Sequence, residues 1–163
     1  MLPNIETDPA NAPSGAALAD ARRRAMEAFA AADPALLSEA WSRLAGGMAA
    51  TMLRGPEAGL VMLRGRIGGG GAPFNIGEAS VARASVRLSS GEVGHAMVLG
   101  RDLDHARLAA LFDAGWQRPD WRDAIEVEVI APALEARDAA DCKTAEETEA
   151  TRVDFFTMVR GDD

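Results

Sequence analysis

Four arginines stand where guanidinium chemistry is conceivable. Arg64 and Arg66, and Arg83 and Arg87, are spaced by even numbers within segments of strand character, so each pair points to one sheet face. If the two faces coincide, four guanidiniums cluster, and such a cluster suits phosphate groups or a partner's carboxylates. The plainer reading is the solvent-facing side of an antiparallel sheet, in a chain whose 17 basic residues are almost all arginine. Gly68–Gly71, directly after the first of these segments, could wrap backbone N–H groups around a phosphate. No Lys and no clear helix start follow it. A turn that lets another chain approach closely is the better reading. His95 and His105 are the only histidines, ten residues apart on different elements, and a metal site would need carboxylates to complete it. Both read as structural or surface residues. Cys142 lies between Asp141 and Lys143 in acidic surroundings that do not lower a thiol pKa, so it reads as a bystander.

The remaining motifs are absent. There is no phosphate loop with Lys and Ser or Thr, no G-x-G-x-x-G, no G-x-S-x-G elbow and no H-E-x-x-H. One cysteine makes neither an internal disulfide nor a thiolate cage. A hydrophobic content of 48% and a charged content of 26% are ordinary globular values, which excludes wholesale disorder. A net charge of −8 argues against general nucleic-acid binding. No basic start precedes an apolar run, and no uncharged stretch approaches the ~20 residues a bilayer requires. A cytoplasmic protein without membrane contact is expected. Charge is uneven: residues 54–87 hold five arginines against two glutamates, whereas residues 120–150 hold ten acids against three bases.

The elements that must position these residues follow from periodicity. Residues 1–14, with Pro3, Pro9 and Pro13, read as a flexible arm, and residues 15–163 as a single domain. Leu18, Ala21, Ala25 and Phe29 mark a helix over 16–32. Asp33-Pro34 caps a second helix, with Leu37, Ala40, Trp41, Leu44 and Met48 on one face and Gly46-Gly47 at its end. Strands are expected over 59–67, 80–88 and 93–99, the last two joined by a turn at Ser89–Glu92. Asp102 caps a helix carrying Leu103, Ala106, Ala110, Leu111 and Ala114. Residues 121–130 read as helical, Pro132 kinks or restarts the helix, and an acidic helix runs on to about Ala150. Arg152–Arg160 reads as a final strand returning beside the first. Its consecutive Phe155 and Phe156 point to opposite faces, so one of them needs cover from a second layer or another protein. The expected class is α+β: N-terminal helices, a mainly antiparallel or mixed sheet of about four strands, C-terminal helices and the returning strand.

Several strings are more specific than this pattern. Glu57-Ala58-Gly59-Leu60-Val61, the run from Arg66 through the glycine loop to Gly77, Val86-Arg87-Leu88, Gly100-Arg101-Asp102 with His105-Ala106, Ile130-Ala131-Pro132, and above all Thr151–Gly161 resemble the PhnG family of the bacterial carbon–phosphorus lyase system. The similarity runs from about Ala16 to Gly161. It departs at Ala82 and Gly70, where the family often carries Thr, so this chain lacks any phosphate contact that those hydroxyls would make. The resemblance implies a cytoplasmic subunit of a core complex with PhnH, PhnI and PhnJ. With PhnH, PhnI and PhnL such a subunit supports attack of a phosphonate on ribose C1 of MgATP, with release of adenine. It carries no established catalytic residue over to this chain, and nothing in the spacing of the residues calls for a metal. No cofactor is expected on the chain alone, because MgATP is a substrate of the complex.

The residues themselves fit a helper better than a complete enzyme, since displacement at ribose needs a bound triphosphate, Mg²⁺ ligands and a positioned nucleophile. Arg66, Arg83, Arg101 and His105 are the expected anion or partner contacts, and Arg152, Phe155 and Phe156 the partner-facing strand. The alternative is a noncatalytic assembly module that only binds and stabilises PhnI. An uncovered apolar strand is also compatible with a homodimer of the isolated chain.

Overall fold

The computed structural model describes residues 15–66 and 71–151. Asp33 separates the first two helices, α1 (Gly15–Ala31) and α2 (Pro34–Leu44). Its carboxylate accepts a hydrogen bond from the Ala35 N–H at 2.8 Å, and Pro34 fills the first helical position, where no N–H is needed. Three strands follow: β1 (Ala50–Gly65), β2 (Phe74–Leu88) and β3 (Val93–Leu99). They form one antiparallel sheet in the order β1-β2-β3. Asp102 then caps α3 (Leu103–Trp116) through the His105 N–H at 2.9 Å.

The C-terminal helical region is continuous. α4 (Pro119–Ile125) runs through a π-helical turn (Glu126–Ile130) into α5 (Ala131–Ala150). Pro132 has no N–H to give and its ring crowds the preceding turn. The turn before it is widened, so that the Ala131 N–H reaches back to the Glu126 carbonyl. The helix therefore passes the proline instead of stopping at it.

α3 is the centre of the molecule. Every residue from Leu108 to Trp116 is buried. One side packs on the sheet through Ala82, Ala84, Val86, Leu88 and Val98, and the other on α1, α2 and α4. Phe112 meets Phe29 at 5.6 Å and the edge of Trp41 at 5.5 Å, and Trp41 continues to Trp121 at 5.9 Å. Gly94 allows the sheet contact. A methyl at that position would overlap the Ala110 carbonyl oxygen and the Ala114 nitrogen, so the α3 backbone lies directly on β3.

The expected α+β class holds, with differences in the strands. β1 begins at Ala50, not Gly59, and β2 at Phe74, not Ser80. Pro56 hides the start of β1 because prolines belong on sheet edges and at bulges, and β1 is an edge strand with irregular register between Arg54 and Glu57. Three strands, not four, lie among the described residues. The final strand expected over Arg152–Arg160, with Arg152, Phe155 and Phe156, lies outside them, as do residues 1–14, expected as an arm, and the centre of the glycine loop. β1 and β2 outrun β3: residues 60–65 and 74–80 form a two-stranded ribbon beyond Leu99. Leu60, Met62 and Ile76 on it are 64%, 54% and 62% exposed.

Candidate functional site

A groove runs along the junction of α1 and the sheet. Three adjoining cavities of about 550, 260 and 260 Å³ share Met26 and His95. α1 supplies Leu18, Arg22, Arg23 and Met26 on one side, and the strands supply Arg54, Arg83, Ser85, His95 and Met97 on the other. Met26 belongs to the continuous helical face that also carries Phe29, whereas the strand residues reach the groove by β-alternation.

Two anchors fix this geometry. The first is Asp113, buried to 1% exposure in α3. Its carboxylate accepts hydrogen bonds from Arg22 Nε and Nη2, both at 2.8 Å, and from the His95 backbone N–H at 2.8 Å. Arg22 is held in its charged form chiefly by this hydrogen bond, against the opposing effect of its partial burial. Asp113 thus joins α1, α3 and the edge of β3. The second anchor is Glu57. Gly55, at φ +67° and against the Arg83 carbonyl, makes the kink that brings Glu57 opposite Arg83. The Glu57 Oε1 accepts from Arg54 Nε at 2.8 Å and from Arg83 Nε at 2.9 Å. Hydrogen bonds from Arg54 and then Arg83 hold its carboxyl below the usual range, although the group is open to solvent.

The expected site residues separate. Arg83 lines the groove. Arg101 lines a different cleft of about 290 Å³, with Leu60 and Ser80. Arg66 is exposed at the end of the ribbon, next to residues outside the described set. His105 faces inward and pairs its Nε2 with the Phe29 carbonyl at 2.9 Å, tying the start of α3 to the end of α1. Nor do the four strand arginines cluster. The register sets Arg64 opposite Asn75, eight residues from Arg83, or ~26 Å along a strand at ~3.3 Å per residue. Arg54, which the sequence reading passed over, joins Arg83 instead.

Two further features were missed. The β2–β3 register sets Ser85 opposite His95, and Ser85 Oγ lies 2.8 Å from His95 Nδ1. The expected four-residue turn at Ser89–Glu92 would have set Ser85 opposite Ala96; Glu92 instead pairs with Leu88, which shortens the loop and moves the register by one residue. His95 is exposed and no described carboxylate orients its other nitrogen, so the pair lacks the third member that makes a hydroxyl nucleophilic. Asp113 had a signal too, as the lone acid in the run Leu108–Trp116. Among the described residues no three His, Cys, Asp or Glu side chains gather as a metal site, and no helix is long and apolar enough to cross a membrane.

Fold and groove together define a mixed α+β protein whose exposed chemistry is that of guanidinium groups and apolar surface. Its residues 20–161 match the family described as phosphonate metabolism protein PhnG. It is 55% identical, over 144 residues covering 87% of this chain and 90% of the relative, to a protein of Rhizobium meliloti (strain 1021). That relative is named alpha-D-ribose 1-methylphosphonate 5-triphosphate synthase subunit PhnG. The chain belongs to the PhnG family.

Proposed function

We propose that this protein is a subunit of the α-D-ribose 1-methylphosphonate 5-triphosphate synthase. In that role it supports transfer of a phosphonate onto ribose C1 of MgATP, with release of adenine. The observation that carries the proposal is the 55% identity, across nearly the whole of both chains, to a relative bearing that name. The assembly works in the cytoplasm with PhnH, PhnI and PhnL and within a core that includes PhnJ. The chain binds no cofactor of its own, and MgATP enters as substrate of the complex. Displacement at ribose brings together a triphosphate and a phosphonate, two anionic groups whose repulsion must be offset. Arg83, Arg101 and Arg66 are the cations this chain contributes near those anions or near a partner's carboxylates, and Arg54 acts with Arg83. His105 positions α1 against α3.

A second reading, assembly without substrate contact, has its own support. Leu60, Met62 and Ile76 leave an apolar ribbon open, and two-stranded ribbons are marginal without a packing partner. PhnI is the partner in that reading. One experiment tests both: adenine release from MgATP and methylphosphonate, by the lone chain and by the chain reconstituted with PhnH, PhnI and PhnL. Turnover only in the reconstituted set is expected, and turnover by the lone chain would overturn the subunit reading. An Arg83→Ala, Arg101→Ala variant that assembles but loses activity supports contact with anions. One that fails to assemble supports the second reading.

A further inference from the structure

The free edge of β3 is protected along only half its length. The Gly100 N–H bonds to the Ser80 carbonyl and the Leu88 N–H to the Glu92 carbonyl, so in this register the even-numbered residues of β3 face β2. The odd-numbered residues turn their backbone outward. The outward Val93 carbonyl accepts from Gln117 Nε2 at 2.7 Å and from Arg22 at 3.4 Å, and the His95 N–H is taken by Asp113. Beyond this point the protection ends. The His95 carbonyl, both backbone groups of Met97 and the Leu99 N–H bond to no other described residue. No Lys, Pro or bulge blunts this edge, and Met97 and Leu99 are 52% and 78% exposed.

The surroundings of that open half have two different sides. On one, a groove of about 260 Å³ between α1 and β3 has Phe29 and Ala109 in its apolar lining. On the other, Arg83 stands opposite Met97, and Arg83 and Arg54 share the single carboxylate of Glu57. A strand laid along the edge alternates its side chains between those sides. Apolar residues suit the first and carboxylates the second. A second copy of β3 does not qualify. Its sequence, Val93-Gly94-His95-Ala96-Met97-Val98-Leu99, brings no carboxylate, and the copy would add its own arginines.

We propose that the edge from His95 to Leu99 receives an extended segment of a sister subunit, in which apolar residues facing Phe29 and Ala109 alternate with acidic residues facing Arg54 and Arg83. The binding mode is strand addition: main-chain hydrogen bonds hold the segment and the two unlike sides select it. The proposal rests on the subunit reading above and names the surface that reading leaves open.

The test is amide hydrogen exchange of the full chain, alone and in the complex reconstituted with PhnH, PhnI and PhnL. The Met97 and Leu99 amides are expected to exchange at least ten-fold more slowly in the complex than in the free chain. The variant Met97→Pro removes one outward donor at an edge position that tolerates proline. It is expected to keep the melting temperature of the free chain and to weaken assembly by about ten-fold, as loss of a main-chain bond plus steric blocking of a strand would. If the complex forms and those two amides exchange as before, the edge is not the docking site, while the subunit reading stands. Slow exchange already present in the isolated chain means that a second copy or the chain's own terminus occupies the edge, and also overturns the proposal. If no complex forms with the wild-type chain, both readings fall.

Discussion

Removing Arg22 tests whether the groove is built on a buried charge. Arg22 supplies two of the three hydrogen bonds to Asp113, whose side chain is 1% exposed, while Arg22 itself is 33% exposed. Breaking a buried ion pair from one side costs roughly 3–5 kcal/mol, because the remaining charge stays buried. The partial exposure of Arg22 puts Arg22→Ala at the lower end, about 3 kcal/mol. Asp113→Asn keeps the shape and an acceptor for the His95 N–H and leaves an arginine that can turn to water, so about 2 kcal/mol is expected. The double variant holds no buried charge. It should cost about 2 kcal/mol in all, well below the sum of the two single changes. At about 2–4 °C per kcal/mol for a chain of this size, Arg22→Ala lowers the melting temperature by roughly 6–12 °C. Urea unfolding of the four species, followed by circular dichroism and tryptophan fluorescence, completes the cycle. Additive costs, or a single variant within about 0.5 kcal/mol of wild type, would refute the claim that this charge pair clamps α1 to β3.

Other outcomes follow from the same structure. Gly94→Ala forces a methyl into the α3 backbone and should destabilise by about 3 kcal/mol or more, whereas Gly59→Ala, with open space around it, should be close to neutral; thermal melts distinguish the two. Glu57 has a folded pKa below the ordinary 4.5, so its contribution to stability is present above that value and is lost as pH falls through the lower folded value. Melting temperatures of wild type and Glu57→Gln should therefore differ at neutral pH and converge as the pH falls through that lower folded value; a constant gap down to full protonation would contradict the Arg54–Glu57–Arg83 assignment. Leu60→Ser with Ile76→Ser removes exposed apolar surface and should leave stability of the free chain within about 0.5 kcal/mol. Weakened co-elution with the sister subunits would identify the ribbon as an assembly surface, and unchanged co-elution would remove it.

The helices were legible because their signals are local. Asp33-Pro34 and Asp102 announced their caps in the sequence, and the turn residues near Ser89–Glu92 announced the β2–β3 hairpin, although Glu92 pairs with Leu88 and the register lies one residue from the expected one. What could not be read depends on how distant segments meet. Arg83 and Arg64 look alike on paper, but antiparallel pairing carries Arg64 to the ribbon and brings Arg54 to Arg83. That outcome follows from a register irregularity around Gly55-Pro56, and no periodicity encodes it. His105 reads from the sequence both as a structural residue and as an anion or partner contact, and the position of α1 gives its ring the Phe29 carbonyl. Asp113 was overlooked because an acid in an apolar run reads as an interruption. Only the arrival of Arg22 from 91 residues away turns it into a junction.

The junction also explains why one stretch of edge is left open. An edge strand has to be covered, blunted or paired. Here covering is carried out by side chains, and their reach is finite: Gln117 and Arg22 satisfy Val93, and Asp113 satisfies His95. Because α1 is tethered at Arg22 and again where Phe29 meets His105, it runs beside the rest of β3 without bonding to its backbone. Burying those groups directly would require further polar side chains from α1, and the helix presents Met26 and Ala30 there instead. Unpaired backbone groups along an exposed strand edge, beside this apolar wall, are a ready template for another chain, which a finished monomer covers or blunts. The same arrangement is favourable in a protein completed by another chain, because the incoming strand supplies the hydrogen bonds and the wall supplies apolar contact. The clamp at Asp113 and the opening beyond it are in this sense one device: the first holds α1 at the distance that makes the second a groove.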